Sequence, residues 1–87
     1  GEQSRIVSFF MGLCMNQVFL KLLGTNIAKR RKDQRITQLS LSHACGIDLS
    51  YISRIECGKT NPSLEALYKI STALNCTVKD LIPDSNT

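Results

Sequence analysis

Residues 37–63 read TQLSLSHACGIDLSYISRIECGKTNPS, and the fold turns on them. Thr37 is a good N-cap, because its hydroxyl accepts from the free amides of a first helical turn. Ser40 stands at the N3 position, where Glu or Gln would complete a capping box. Leu41 and Ala44 or Cys45 face inward, and Gly46 ends the helix where a left-handed residue is wanted. Asp48 caps a second helix over 49–57. Its Ile52 and Ile55, three apart, are expected to be buried, which leaves Leu49, Ser50, Ser53 and Arg54 on the outer surface. Gly58 ends that helix, and a basic loop closed by Pro62 follows. Two short helices about a tight turn are how a chain holds one helix out as a probe for the major groove of DNA.

Working outward, Pro62 and Ser63 open a helix over 64–74, with Leu64, Leu67, Ile70, Ser71 and Leu74 on its apolar side. Thr77 caps a short helix over 78–82 that Pro83 stops, and 84–87 is a polar, frayed tail. Upstream, 16–33 reads as one amphipathic helix whose apolar side, through Phe19, Leu22, Leu23 and Ile27, faces inward. No strand pattern of useful length appears, so the expected fold is all-α with five helices, six if the amino-terminal segment forms one. The expected organisation is an extension over 1–18, a DNA-binding domain over 19–83 and the tail.

Residues 4–23 are strongly apolar, and a transmembrane helix needs about 20 predominantly apolar residues. Asn16, Gln17 and Lys21 interrupt this run and Gly12 weakens it, so no membrane span is expected. Glu2 beside Arg5, with no small-residue cleavage pattern, argues against a signal peptide. Ile6, Phe9, Phe10, Leu13 and Cys14 admit three readings: an extra helix on the domain, a contact with a second subunit, or a start placed too early, with Met11 or Met15 as the first residue. Gly1 is read as a cloning remnant.

With 87 residues the chain makes one domain with no room for a second core, and 43% hydrophobic residues suffice to build it. Aromatics are 6% and Trp is absent, too few for a base-stacking platform. Positive charge concentrates around the motif. Lys21, Lys29, Arg30, Arg31, Lys32, Arg35, Arg54 and Lys59 face only Asp33, Asp48 and Glu56 over 21–59. A polyanion partner follows, because neutralising phosphates releases condensed counterions.

Cys14, Cys45, Cys57 and Cys76 lack C-x-x-C spacing, and His43 has no partner at zinc-site spacing, so neither metal nor cofactor is expected. Cys45 and Cys76 fall at apolar positions and are expected to pack as small hydrophobes, with Cys57 exposed. Free thiols suit a reducing cytoplasm, and a cytoplasmic, nucleoid-associated protein is expected. There is no nucleophile–base pair, phosphate-cradling Gly loop or catalytic carboxylate pair, so enzyme activity is not expected.

From Leu23 to Ile82 the chain resembles a lambda-repressor-like helix-turn-helix domain of the Xre type. The matching landmarks are Ile27 and Arg31, Ile36-Thr37-Gln38, Leu41, Gly46, the run from Ser50 to Glu56, Gly58-Lys59, the run from Asn61 to Leu64, Leu67, and Ala73-Leu74. The resemblance implies a buried ion pair between Arg31 and Glu56, which makes Arg31 structural although it lies in the KRRK run. It implies base contacts from Leu49, Ser50, Ser53 and Arg54, and phosphate contacts from Gln38, Tyr51, Lys59, Thr60 and Asn61. It also implies a homodimer on a double-stranded, pseudo-palindromic operator, with no small-molecule ligand expected. The dimer contact is expected around residues 75–81, with or without the extension. The chain departs from the pattern at Arg35, where Gly is usual, and at Leu39 and Ser40, where acidic residues are usual. An antitoxin-like module that binds a partner protein through its apolar amino-terminal segment is the alternative.

Overall fold

The computed structural model describes residues 2–84, with side chains from Asn16 onward. Five helices follow one another: α1 (Glu2–Asp33), α2 (Gln38–Cys45), α3 (Leu49–Glu56), α4 (Leu64–Ala73) and α5 (Val78–Leu81). At 1.5 Å per residue α1 is about 48 Å long, which sets the 50 Å long axis of a molecule only 25 and 19 Å across. The segment before Asn16 is therefore not a sixth helix but the amino-terminal part of α1. The partners of its side chains, and the fraying expected beyond Asp84, lie outside the described residues.

The core forms where α1, α2, α3, α4 and α5 converge on Leu23, Ile27, Leu41, Ile47, Ile52, Ile55, Leu67, Ile70, Leu74 and Leu81. Each short helix enters this core in the same way. The residue before the cap and the residue five positions later are apolar and drawn inward: Ile36 and Leu41, Ile47 and Ile52, Pro62 and Leu67, Cys76 and Leu81. This is the hydrophobic staple, which fixes the angle at which the chain enters a helix. Thr37, Ser63 and Thr77 add side-chain caps, accepting from the N–H groups of Ser40, Ala66 and Asp80. Asp80 returns the bond to the Thr77 N–H at 2.9 Å and completes a capping box.

Three of the helices, α1, α3 and α4, also end alike. The Ile36 N–H bonds back to Arg31 O and the Arg35 N–H to Lys32 O, with Arg35 at φ 59. Gly58 and Asn75 close α3 and α4 with the same pair of bonds, the six-to-one and five-to-two pattern that requires a left-handed residue. Arg35 thus adopts the backbone that glycine usually supplies.

Three expectations are corrected, and one pair of alternatives is resolved. Asp48 sits at the N-cap of α3 but its side chain makes no capping bond; the staple of Ile47 and Ile52 holds the entry instead. Leu64 is 73% exposed. At about 100° per residue it lies roughly 90° from the centre of the buried arc, which Leu67, Ile70 and Leu74 occupy. Phe19 and Leu22 are also exposed, because the domain body ends near Leu23 and α1 runs on beyond it. Ala44 faces solvent, and of the two candidates there Cys45 packs against the core.

Candidate nucleic-acid interface

Two close backbone approaches hold α3 against α1. A Cβ on Gly24 would collide with the carbonyl oxygens of Ile55 and Glu56, so only glycine lets the end of α3 lie this near α1. One turn earlier, a Cβ on Gly58 would stand 2.8 Å from Lys21 Cα. Ile52 and Ile55 anchor the inner side of α3, at 0% and 1% exposure.

Glu56 closes that end electrostatically. Arg31 Nε donates to Glu56 Oε2 at 2.7 Å, Arg31 Nη2 to Oε1 at 3.0 Å, and Arg31 Nη1 to Ile36 O at 2.7 Å. The two side chains are 10% and 6% exposed. Gln38 Nε2 adds a third bond to the same carboxylate, 2.9 Å to Oε1. One acidic side chain therefore ties together the end of α1, the start of α2 and the end of α3. Such a pair is strong because every charged atom taken from water finds a partner.

The outer face of α3 carries the side chains expected to reach bases. Leu49, Ser50 and Arg54 are exposed and Ser53 is half-buried. Arg54 lies with its guanidinium 5.7 Å from the centre of the Tyr51 ring, and its Nε donates to Ser50 O at 3.4 Å. The half-buried Tyr51 does more than pack: its hydroxyl accepts the Ser63 N–H at 3.3 Å, tying α3 to the start of α4. That hydroxyl keeps its own proton to donate. Lys59 and Asn61 are exposed and Thr60 half-buried in the loop after α3. Gln38 is half-buried at the first turn of α2, where helix amides are unpaired and favour an anion.

Sequence reasoning overlooked Gly24, although an unexplained glycine inside a helix is the usual sign of a close approach. It also missed Asn26, whose Nδ2 donates to Leu81 O at 3.0 Å, and Gln34, whose Nε2 donates to Leu74 O at 2.7 Å. These two amides fasten α1 to the far end of the domain and leave no sequence signature of their own. Among the described residues no three His, Cys, Asp or Glu side chains gather into a metal-binding group, and no helix is long and apolar enough to cross a membrane.

A helix-turn-helix family model, HTH_3, matches residues 27–81, from the middle of α1 to the end of α5. The chain belongs to this helix-turn-helix family. It is a DNA-binding transcriptional regulator, not an enzyme. Among its relatives, control protein C.MunI from a Mycoplasma species is 37% identical over 71 residues, covering 80% of this chain and 95% of that protein. The fold is that of the restriction-modification controller protein C.AhdI from Aeromonas hydrophila: TM-score 0.71, 30% identity, 72% of this chain and 96% of that one. The DNA-binding domain of the P22 C2 repressor is similar too, with TM-score 0.67, 35% identity, and 71% of this chain and 82% of that one covered.

Proposed function

We propose that this helix-turn-helix regulator reads one specific operator, a pseudo-palindrome bound by a homodimer with α3 in the major groove of each half-site. The observation that carries the reading is the outer face of α3: Leu49, Ser50 and Arg54 stand exposed on a helix fixed from behind by Gly24, Gly58 and the Arg31–Glu56 pair. Arg54 offers two donors to guanine O6 and N7, a contact worth about 1–3 kcal/mol of discrimination. Leu49 presses on a thymine methyl, and Ser50 and Ser53 reach neighbouring base edges. Gln38, the Tyr51 hydroxyl, Lys59, Thr60 and Asn61 hold the backbone and set the register, as phosphate contacts do.

One α3 spans only a few base pairs, so two subunits one helical turn apart supply the missing affinity and specificity. We assign the dimer contact to residues 75–81 together with the amino-terminal part of α1, where Val18, Phe19 and Leu22 are exposed apolar side chains, as is Ile82 just past the first segment. Dimerisation makes occupancy depend on protein concentration, as suits a self-controlling controller or a small repressor of a cytoplasmic genome. Val18, 53% exposed at the end of the apolar stretch from Ile6 to Val18, favours the second reading, a module that binds a partner protein through its apolar amino-terminal segment.

Selection from a random-sequence duplex pool at near-physiological salt separates the two. An enriched inverted repeat supports the regulator. Weak, salt-sensitive binding with no enriched motif refutes it and moves the weight to the partner protein.

A further inference from the structure

The Lys29-Arg30-Arg31-Lys32 run looks uniform in the sequence, but the fold divides it. Arg31 turns inward and is consumed by Glu56 and Ile36. Arg30 lies toward α5, close enough for its charge to favour ionisation of the Cys76 thiol and the Asp80 carboxyl. Lys29 and Lys32 line a groove with Thr25, Ala28, Asp33 and Glu56, beside the end of α3. Both lysines are exposed, and neither takes part in the ion pairs Arg31–Glu56 and Lys69–Glu65. Glu56 is already neutralised by Arg31, so Asp33 alone opposes the two lysines and the groove stays positive. Gln38 sits at one end of this groove through its bond to Glu56, and Lys21, against Gly58, at the other.

From this division we propose that Lys29 and Lys32 form a second phosphate-binding track on α1, which grips the DNA backbone outside the half-site read by α3. The inference rests on the regulator reading above. The track begins where the phosphate held at the start of α2 would lie and continues along α1, away from the outer face of α3. It carries no base-reading side chain, so its contribution is independent of sequence and falls with salt. It lengthens the footprint on DNA without altering the preferred operator.

The test compares the protein with its Lys29→Gln/Lys32→Gln double variant on two duplexes carrying the selected operator, one trimmed to the half-sites and one with about ten flanking base pairs on each side. The slope of log Kobs against log salt is read for each. On the flanked duplex the slope should weaken by about 0.9 for each lysine removed, while on the trimmed duplex the two proteins should agree. Arginine at both positions should restore the slope. The thermal unfolding midpoint should be unchanged, since both side chains are exposed. An unchanged slope on the flanked duplex overturns the track, as does an equal loss on both duplexes or a changed preferred sequence. If the unaltered protein selects no operator, the regulator reading fails separately. The same slopes on long random-sequence duplex then decide the fate of the track: a loss upholds it and no change overturns it.

Discussion

Removing Glu56 is the most severe single change this fold invites. Its carboxylate accepts three bonds from Arg31 and Gln38, and its side chain is 6% exposed. Glu56→Ala leaves the Arg31 guanidinium, 10% exposed, with only the Ile36 carbonyl. Breaking one partner of a buried pair costs about 3–5 kcal/mol. A domain of this size holds roughly 4–13 kcal/mol in all, at about 0.05–0.15 kcal/mol per residue. At a urea slope of about 1.5 kcal/mol per M, the midpoint followed by far-ultraviolet circular dichroism should fall by about 2–3 M. The double variant Arg31→Met/Glu56→Leu replaces both charges by apolar groups and should recover most of the loss, because such replacements are often neutral. Two results refute the reasoning. One is a Glu56→Ala cost below about 1 kcal/mol, the value of a solvent-exposed pair. The other is a double variant whose loss equals the sum of the single losses, which would mean that the two side chains do not interact.

Gly24→Ala should lower the stability read from the same titration by about 2 kcal/mol or more, as overpacking against fixed backbone does, and weaken DNA binding by displacing α3; a cost of a few tenths of a kcal/mol would mean that α1 and α3 are not in backbone contact. Arg35→Gly should stabilise by about 0.5 kcal/mol in urea titration, since relieving a left-handed L-residue gains roughly 1–2 kcal/mol and glycine gives back roughly 0.5–1, whereas Arg35→Ala should change little and a destabilising Arg35→Gly contradicts the observed φ. Asp80 accepts the Thr77 N–H, and that bond, with the Thr77 hydroxyl, holds its carboxyl below the usual range. Its contribution is therefore present above the unfolded pKa and lost as pH falls through the folded one. Thermal melts of Asp80→Asn should thus fall less steeply than those of the parent on acidification below about pH 4, and identical profiles would remove Asp80 from the cap.

The parts of the fold legible in the sequence are those fixed by local chemistry. Thr37 and Ser63 can cap only by presenting a hydroxyl to the next turn, and Gly46 and Gly58 supply a backbone that few other residues tolerate. Ile52 and Ile55 are buried because their spacing leaves one face to the core. What stayed hidden depends on where other elements lie. The exposure of Phe19 and Leu22 follows from where the domain body stops along α1, not from their hydrophobicity. Leu64 has the right character for the core but sits at the edge of an arc that only the placement of α4 defines. Asp48 looks like a cap, yet Ile47 beside it does the anchoring. The candidate site was legible as a set of residue types on one helix. The bond from Gln38 to Glu56, the tether from Tyr51 to Ser63 and the parting of Arg30 from Lys29 and Lys32 required the relative positions of the helices, whereas the inward role of Arg31 was already implied by the resemblance.

The claim that α3 reads bases stands or falls on Arg54. Parent and Arg54→Ala proteins should be titrated against the selected operator and against every single base-pair substitution in one half-site. The account predicts that the variant becomes indifferent to substitution at one guanine-containing pair, losing about 1–3 kcal/mol of discrimination there, while it still discriminates at the other positions. A uniform loss of affinity across all sequences would make Arg54 a phosphate contact, and an unchanged profile would remove α3 from the major groove; either contradicts the account.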